Sequence, residues 1–264
     1  MMIPLTPFTI STSSLGLLLV FRSNNAYKRW DEARKAWGLT INHTRNLVRM
    51  ATASTDPAYE PSLEKRQAAI DKVSKSTWAF ARSQMRHISD PADEDDYCAA
   101  IRDRLPPDQA EGLIDAVHRP NRAMSYLADA VSELPMSFLR KNEIDRDIQL
   151  FEDTCGSNER LFSSPIPLFY TRHTARFLST YILLMPLGMY DAFKGSWNHI
   201  ALVPSAAVVA LFMFGIEEIA IELEEPFSVL PLQGMCDKIG MNCDEIAAWH
   251  ADVVDEDQER YPLA

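Results

Sequence analysis

Basic charge, glycine and paired cysteines are what this sequence is short of. Among 264 residues, 26 Lys and Arg face 37 Asp and Glu, for a net charge of −11. So acidic a chain lacks the basic surface that phosphate neutralisation needs, which argues against nucleic acid as a partner. Only 9 glycines and 16 prolines exclude collagen-like and Gly-rich repeats. Cys98, Cys155, Cys236 and Cys243 are scattered without a C-x-x-C pair. A disulfide framework and a thiolate zinc site are therefore not expected. No G-x-S-x-G, P-loop, G-x-G-x-x-G or H-E-x-x-H motif occurs, so no enzyme chemistry is indicated. His43, His87, His118, His173, His199 and His250 do not cluster at ligand spacing. Glu218, Glu222 and Glu225 share one helical face at i, i+4 and i+7. The Glu-x-x-His partners of a di-iron bundle are absent, so they read as a solvated or interface-paired face. No metal or other cofactor is expected.

Charge is also missing over three long runs, and there its absence is informative. Residues 1–21 hold no ionisable side chain, 177–190 are also uncharged, and within 195–216 only His199 can titrate. About 20 apolar residues span a bilayer core as a helix. The third run meets that length, and the first meets it with a Ser/Thr patch. The second is short alone, but 177–216 can form a helical hairpin turning at Asp191–Lys194. The mean hydropathy of −0.17 averages these runs away. Buried helices of a large soluble protein remain the alternative. Residues 1–21 lack the basic start and the small-x-small cleavage site of a signal peptide. They read instead as an apolar segment with upstream sequence missing.

Between the apolar ends lies a polar helical body. Tyr27, Trp30, Ala33, Trp37, Ile41, Leu47 and Val48 repeat at a helical period through 24–52, with only Gly38 as a breaker. A second amphipathic helix is predicted over 62–88, ended by Ser89-Asp90-Pro91 and an acidic loop over 90–96. Further helices are predicted at 93–103, 107–117, 119–140 and 143–160. No alternating strand is evident. Residues 1–50 carry seven Lys/Arg and two acids, net +5, whereas 217–264 carry thirteen acids and two bases, net −11. The expectation is an all-α chain: an apolar helix (1–23), a helical extramembrane region (24–160), a segment with an apolar hairpin (161–218) and an acidic tail (219–264).

If 8–30 is helical, Ser13, Leu17 and Phe21 line one face at i, i+4 and i+8. Ser11, Thr12, Ser14 and Gly16 permit close helix neighbours on the others. Repeated around an axis, such a helix makes a constriction of stacked rings, and apolar constrictions gate by dewetting. On spacing alone, core or lipid-facing roles for Leu17 and Phe21 are the favoured alternative.

Three blocks resemble a known family. LGLLLVFRSNNAYKRWDEARKAWG (15–38), followed by NHTRNL (42–47), is similar to the signature of the bestrophin anion channels. SSPIPLFYTRHTARF (163–177) matches that family's I-P-L-x-Y-T segment. GIEEIAIELEEPFSVLPL (215–232) resembles its I-E-E-I-x-x-x-x-E-x-P-F-x-x-L-P-L motif. INHTRNLVRM and LQGMCDKI resemble the plant and algal branch, the voltage-dependent chloride channels of the thylakoid.

The resemblance implies a homopentamer in a lipid bilayer, with one axial pore passing chloride or other small monovalent anions. It implies a neck at Ser13, Leu17 and Phe21, where Ser13 departs from an otherwise apolar pattern. It also implies an aperture at Ile166, and an apolar helix preceding residue 1. Arg22, Lys28 and Arg29 follow the neck directly and are the expected anion-attracting mouth. The animal branch binds calcium through a run of Asp after P-F. Here Ser228–Leu232 holds no acid, so calcium is not expected as a cofactor. A non-conducting membrane scaffold and a soluble all-helical enzyme are the competing functions.

Overall fold

The computed structural model describes residues 4–89 and 93–260, with backbone alone for 251–260. Among the described residues it contains helices and no strand. They are α1 (Thr6–Ser54), α2 (Leu63–His87), α3 (Glu94–Arg104), α4 (Pro107–Ile114), α5 (Arg119–Glu133), α6 (Phe138–Ser163), α7 (Leu168–Met189), α8 (Leu202–Glu224), α9 (Pro226–Val229) and α10 (Leu232–Arg260). The chain divides into two compact units. One comprises Met1–Ala33 and Leu161–Val229, the other Arg34–Arg160 and Leu230 onward. Helices α1 and α6 each contribute to both.

In the first unit, α7 and α8 form the expected hairpin. Two short 3-10 turns, Tyr190–Phe193 and Trp197–His199, connect them. An Asp191–Lys194 ion pair closes the first turn. Trp197–Glu224 is long and apolar enough to cross a membrane and buries almost nothing in this chain. Val203, Leu211 and Phe212 are among its exposed side chains. A helix apolar on all sides and left uncovered needs lipid or neighbouring subunits.

The second unit is built around α2, which packs against α5 and α10. From Val73 to Met85 every α2 residue but Lys75 is buried. Ser62 caps its N-terminus by accepting the Lys65 N–H, and Arg86 falls in its last turn, complementing the helix dipole. Phe80 meets Phe151 of α6 with ring centroids 4.7 Å apart. Some polar groups in this core find partners: Ser83 meets the Tyr97 hydroxyl at 3.0 Å, and Arg82 reaches Asp96 at 2.6 Å and also Gln233. Residues 232–250, read from charge as part of an acidic tail, present Met235, Cys236, Ile239, Cys243 and Ile246 to this core. Burial pushes the Cys236 and Cys243 thiols up to about 12, leaving them protonated core groups.

The helix expected over 119–140 instead ends at Glu133, and α6 begins at Phe138. Pro135 is the cause. It lacks an N–H and drives Leu134 to an extended ψ of 134°. The helix predicted to 117 likewise ends at Ile114. The break expected at Asp90-Pro91 lies outside the described residues.

Glu94, in the first turn of α3, ties that helix to α2 and α5. Its carboxylate accepts from Arg119 at 2.6 and 3.0 Å and from Arg86 at 2.7 Å. The Arg119 hydrogen bonds, with those from Arg86, hold its pKa down at about 2. A depressed folded-state pKa stabilises above the ordinary carboxylate range, and the contribution is lost as pH falls toward 2. Because the carboxylate is partly solvent-screened, Glu94→Gln should lower stability by about 1 kcal/mol at pH 7. The gap to the parent should narrow between pH 4.5 and 2. Thermal melts of both proteins across that window check this, and a gap independent of pH would contradict it.

Candidate functional site

Helix α1 carries two faces in the first unit. Leu15 and Leu19 are buried against Leu178 of α7, among Phe177, Tyr181, Ile182 and Met213. Thr12 Oγ1 lies 2.7 Å from the Tyr181 hydroxyl, and Phe8 meets the Tyr181 ring edge-on at 5.9 Å. Gly188 lets α7 come this close, since a Cβ there would stand 2.6 Å from Phe8 Cδ2. Of the small residues near the start of α1, Thr12 meets α7, whereas Ser14 is exposed and a Cβ at Gly16 would meet nothing within 4 Å.

Two residues further along a helix is a turn of about 200°. Leu17 and Phe21 accordingly point away from the Leu15–Leu19 seam, and they are 56% and 53% exposed. Ser13 is exposed on the same stripe, as is Lys28, two helical turns beyond Phe21. From Ser13 to Phe21 the stripe runs about 12 Å, and Lys28 lies roughly 10 Å further. Nothing in the unit covers it. Ile166, the expected aperture residue, is half-buried in the non-helical linker between Pro165 and Pro167, where the flanking prolines hold the backbone extended.

Arg22 and Arg29 take a different place from Lys28. Arg22 is 1% exposed. Its guanidinium lies 3.1 Å from Glu217 Oε1 and 3.6 Å from Glu224 Oε2 of α8, and donates to the Thr171 carbonyl of α7 at 3.1 Å. Arg29 donates to the carbonyls of Leu161 at 2.7 Å, Ser164 at 2.8 Å and Glu224 at 3.1 Å. Of the three cations expected at an anion-attracting mouth, Arg22 and Arg29 meet acceptors of their own chain, and Lys28 alone is exposed. The two arginines bind α1 to α7, α8 and the linker.

Glu217 and Glu224 were not singled out as partners of Arg22 by sequence. A carboxylate inside an apolar, span-length helix is nonetheless a signal that a buried cation exists somewhere in the fold. Glu218, Glu222 and Glu225 are exposed, as expected of a solvated or interface-paired face. A second group missed by spacing lies in the other unit, where His87, His118 and Glu159 converge.

A unit that leaves whole helical faces apolar and uncovered, while neutralising its buried arginine internally, defines an all-α membrane protein. Comparison with known proteins assigns it more narrowly. The family described as Bacterial/Fungal Bestrophin protein matches residues 1–245, and the chain belongs to the bestrophin family. The voltage-dependent anion channel-forming protein alr2987 of Nostoc is 30% identical over 263 residues, 96% of this chain and 81% of the relative. The chloroplastic voltage-dependent chloride channel 1 of Arabidopsis thaliana is 29% identical over 239 residues, 90% of this chain and 55% of that protein. The chain thus spans about half the length of this relative. A bacterial bestrophin homologue from Klebsiella pneumoniae superposes with a TM-score of 0.81 at 21% identity, over 94% of this chain and 89% of its own, which shows the fold.

Proposed function

We propose that the protein is a passive anion channel: a homopentamer around an axial pore, passing chloride or other small monovalent anions through a lipid bilayer. The apolar helices of the first unit lie in the membrane. Ser13, Leu17 and Phe21 form the neck, Ile166 the aperture, and Lys28 the cation at the inner mouth. The observation that carries this reading is the uncovered stripe of α1. Its back is locked to α7 and α8 by Arg22, so the stripe is free to face an axis. Relatives named as voltage-dependent anion channels support the same reading. We place the channel in the thylakoid membrane, on the strength of Arabidopsis relatives named chloroplastic.

The test is anion flux from the purified protein in liposomes, with crosslinking in mild detergent. The expected result is flux, with crosslinked species ending at a pentamer. A stable monomer or dimer would remove the central pore, and a pentamer without flux would make the protein a non-conducting scaffold.

Calcium dependence follows from the same residues. Ser228-Val229-Leu230-Pro231-Leu232 offers no carboxylate for a hard cation, which prefers several oxygen ligands including acids. Currents should therefore persist in strong chelator. Loss of current on chelation, restored by added calcium, would mean that other ligands supply the site.

A further inference from the structure

The second unit holds a cluster that has no part in the pore. His87 ends α2, His118 is the N-cap of α5, and Glu159 lies in the last turns of α6. Glu159 Oε1 is 2.8 Å from Nε2 of His118 and 3.3 Å from Nε2 of His87. One ligand atom from each of the three side chains lies within 4.8 Å of the other two. Ligands of a tetrahedral zinc ion, each about 2.0–2.1 Å from the metal, stand roughly 3.3 Å apart. The two separations from Glu159 Oε1 are close to that spacing.

A second observation points the same way. His118 and Glu159 line a cavity of about 1010 Å³, whose wall also carries Asp145, Glu152 and Asp153 and neither Lys nor Arg. Such a wall concentrates cations and gives a metal its path inward. The three side chains are each about one-third exposed, so an ion can reach them.

We infer that His87, His118 and Glu159 form a binding site for a borderline divalent transition ion, zinc foremost, with a fourth coordination position open to the acidic cavity. Two imidazoles and a carboxylate favour such an ion over magnesium or calcium, which take oxygen ligands. Binding exchanges one bond for another. As the side chains stand, Nδ1 of His118 accepts the Asn121 N–H at 3.3 Å, so the ring proton sits on Nε2, facing Glu159. Ligation through Nε2 moves that proton to Nδ1 through solvent, with no net release from this ring. The exposed Asn121 N–H then turns to water. The ion joins the end of α2, the start of α5 and the end of α6, and this site does not depend on the channel reading.

The test uses the full-length protein in detergent, stripped with chelator and titrated with zinc against a chromophoric indicator, and with cobalt as a spectroscopic probe. We expect one tight zinc per chain, a tetrahedral cobalt spectrum and a higher melting temperature on loading. His87→Gln, His118→Asn and Glu159→Gln should each weaken binding at least about tenfold and abolish the cobalt spectrum. Asparagine is chosen at 118 because it keeps the helix cap while removing the imidazole. His173→Ala, which removes an exposed histidine of the other unit, should change nothing. Failure of the folded parent to bind zinc, or equal affinity in the triple variant, would overturn the site.

Discussion

Arg22→Leu is expected to destabilise the first unit by about 3–5 kcal/mol, because it strands a buried carboxylate. Glu217 keeps only 8% of its side chain exposed, and among the described residues Arg22 is the cation that pairs with it. The Thr171 carbonyl loses its donor as well. For a chain of this size that free energy corresponds to a fall in Tm of about 5–10 °C. The pair's worth as packing is a separate matter, since well-packed apolar residues often replace a buried ion pair at little cost. Arg22→Leu/Glu217→Leu should therefore recover most of the lost stability, while Glu224, the more exposed of the two acids, turns toward solvent. Melting of the purified variants in one detergent checks both statements. A single variant as stable as the parent would return Arg22 to the list of cations available to anions.

The largest functional effect is expected at the neck. Leu17→Ala and Phe21→Ala remove two apolar rings from the stripe that α1 leaves uncovered. A wider, wetter neck no longer imposes a dewetting barrier, so single-channel conductance should rise severalfold and gating should weaken. Anion preference should change less, because Lys28 stays in place. The buried face supplies the controls. Leu15→Ala and Leu19→Ala open cavities against Leu178 and should cost about 2–5 kcal/mol of stability, while leaving open-channel current unaltered in whatever protein still assembles. Equal changes in current on both faces, in protein shown to be pentameric, would take Leu17 and Phe21 out of the pore and leave Ile166 as the constriction.

Most of the helices could be read from the chain because their signals are local. The period of Trp30, Trp37, Ile41 and Val48 carries α1 through Gly38 without a break, and the uncharged run at 195–216 largely overlaps the stretch Trp197–Glu224 that is long and apolar enough to span a membrane. Misplaced boundaries came from local signals that were underweighted, chiefly Pro135 and its effect on Leu134. The exposed stripe of Ser13, Leu17 and Phe21 could be written down from 3.6-residue geometry alone. Whether Arg22 belonged to that stripe could not, although it follows Phe21 directly. One residue turns the helix by about 100°, and what lies in the new direction is decided by α7 and α8, some 150 to 200 positions away.

By itself the sequence determined the helical class, the apolar hairpin, the acidic C-terminal charge and, through three long motifs, the family. Each of these rests on hydropathy, periodicity or residue identity over a short window, and such properties belong to the chain before it folds. Tertiary structure alone decided which charges are available. It buried Arg22 against Glu217 and Glu224, turned Arg29 onto three carbonyls, and left Lys28 in solvent. It also brought His87 and His118, 31 positions apart, onto one oxygen of Glu159. The physical reason is the same in both places. The state of a charged or ligating group depends on what stands within a few ångströms of it and how much water remains, and those neighbours come from helices that sequence spacing does not relate.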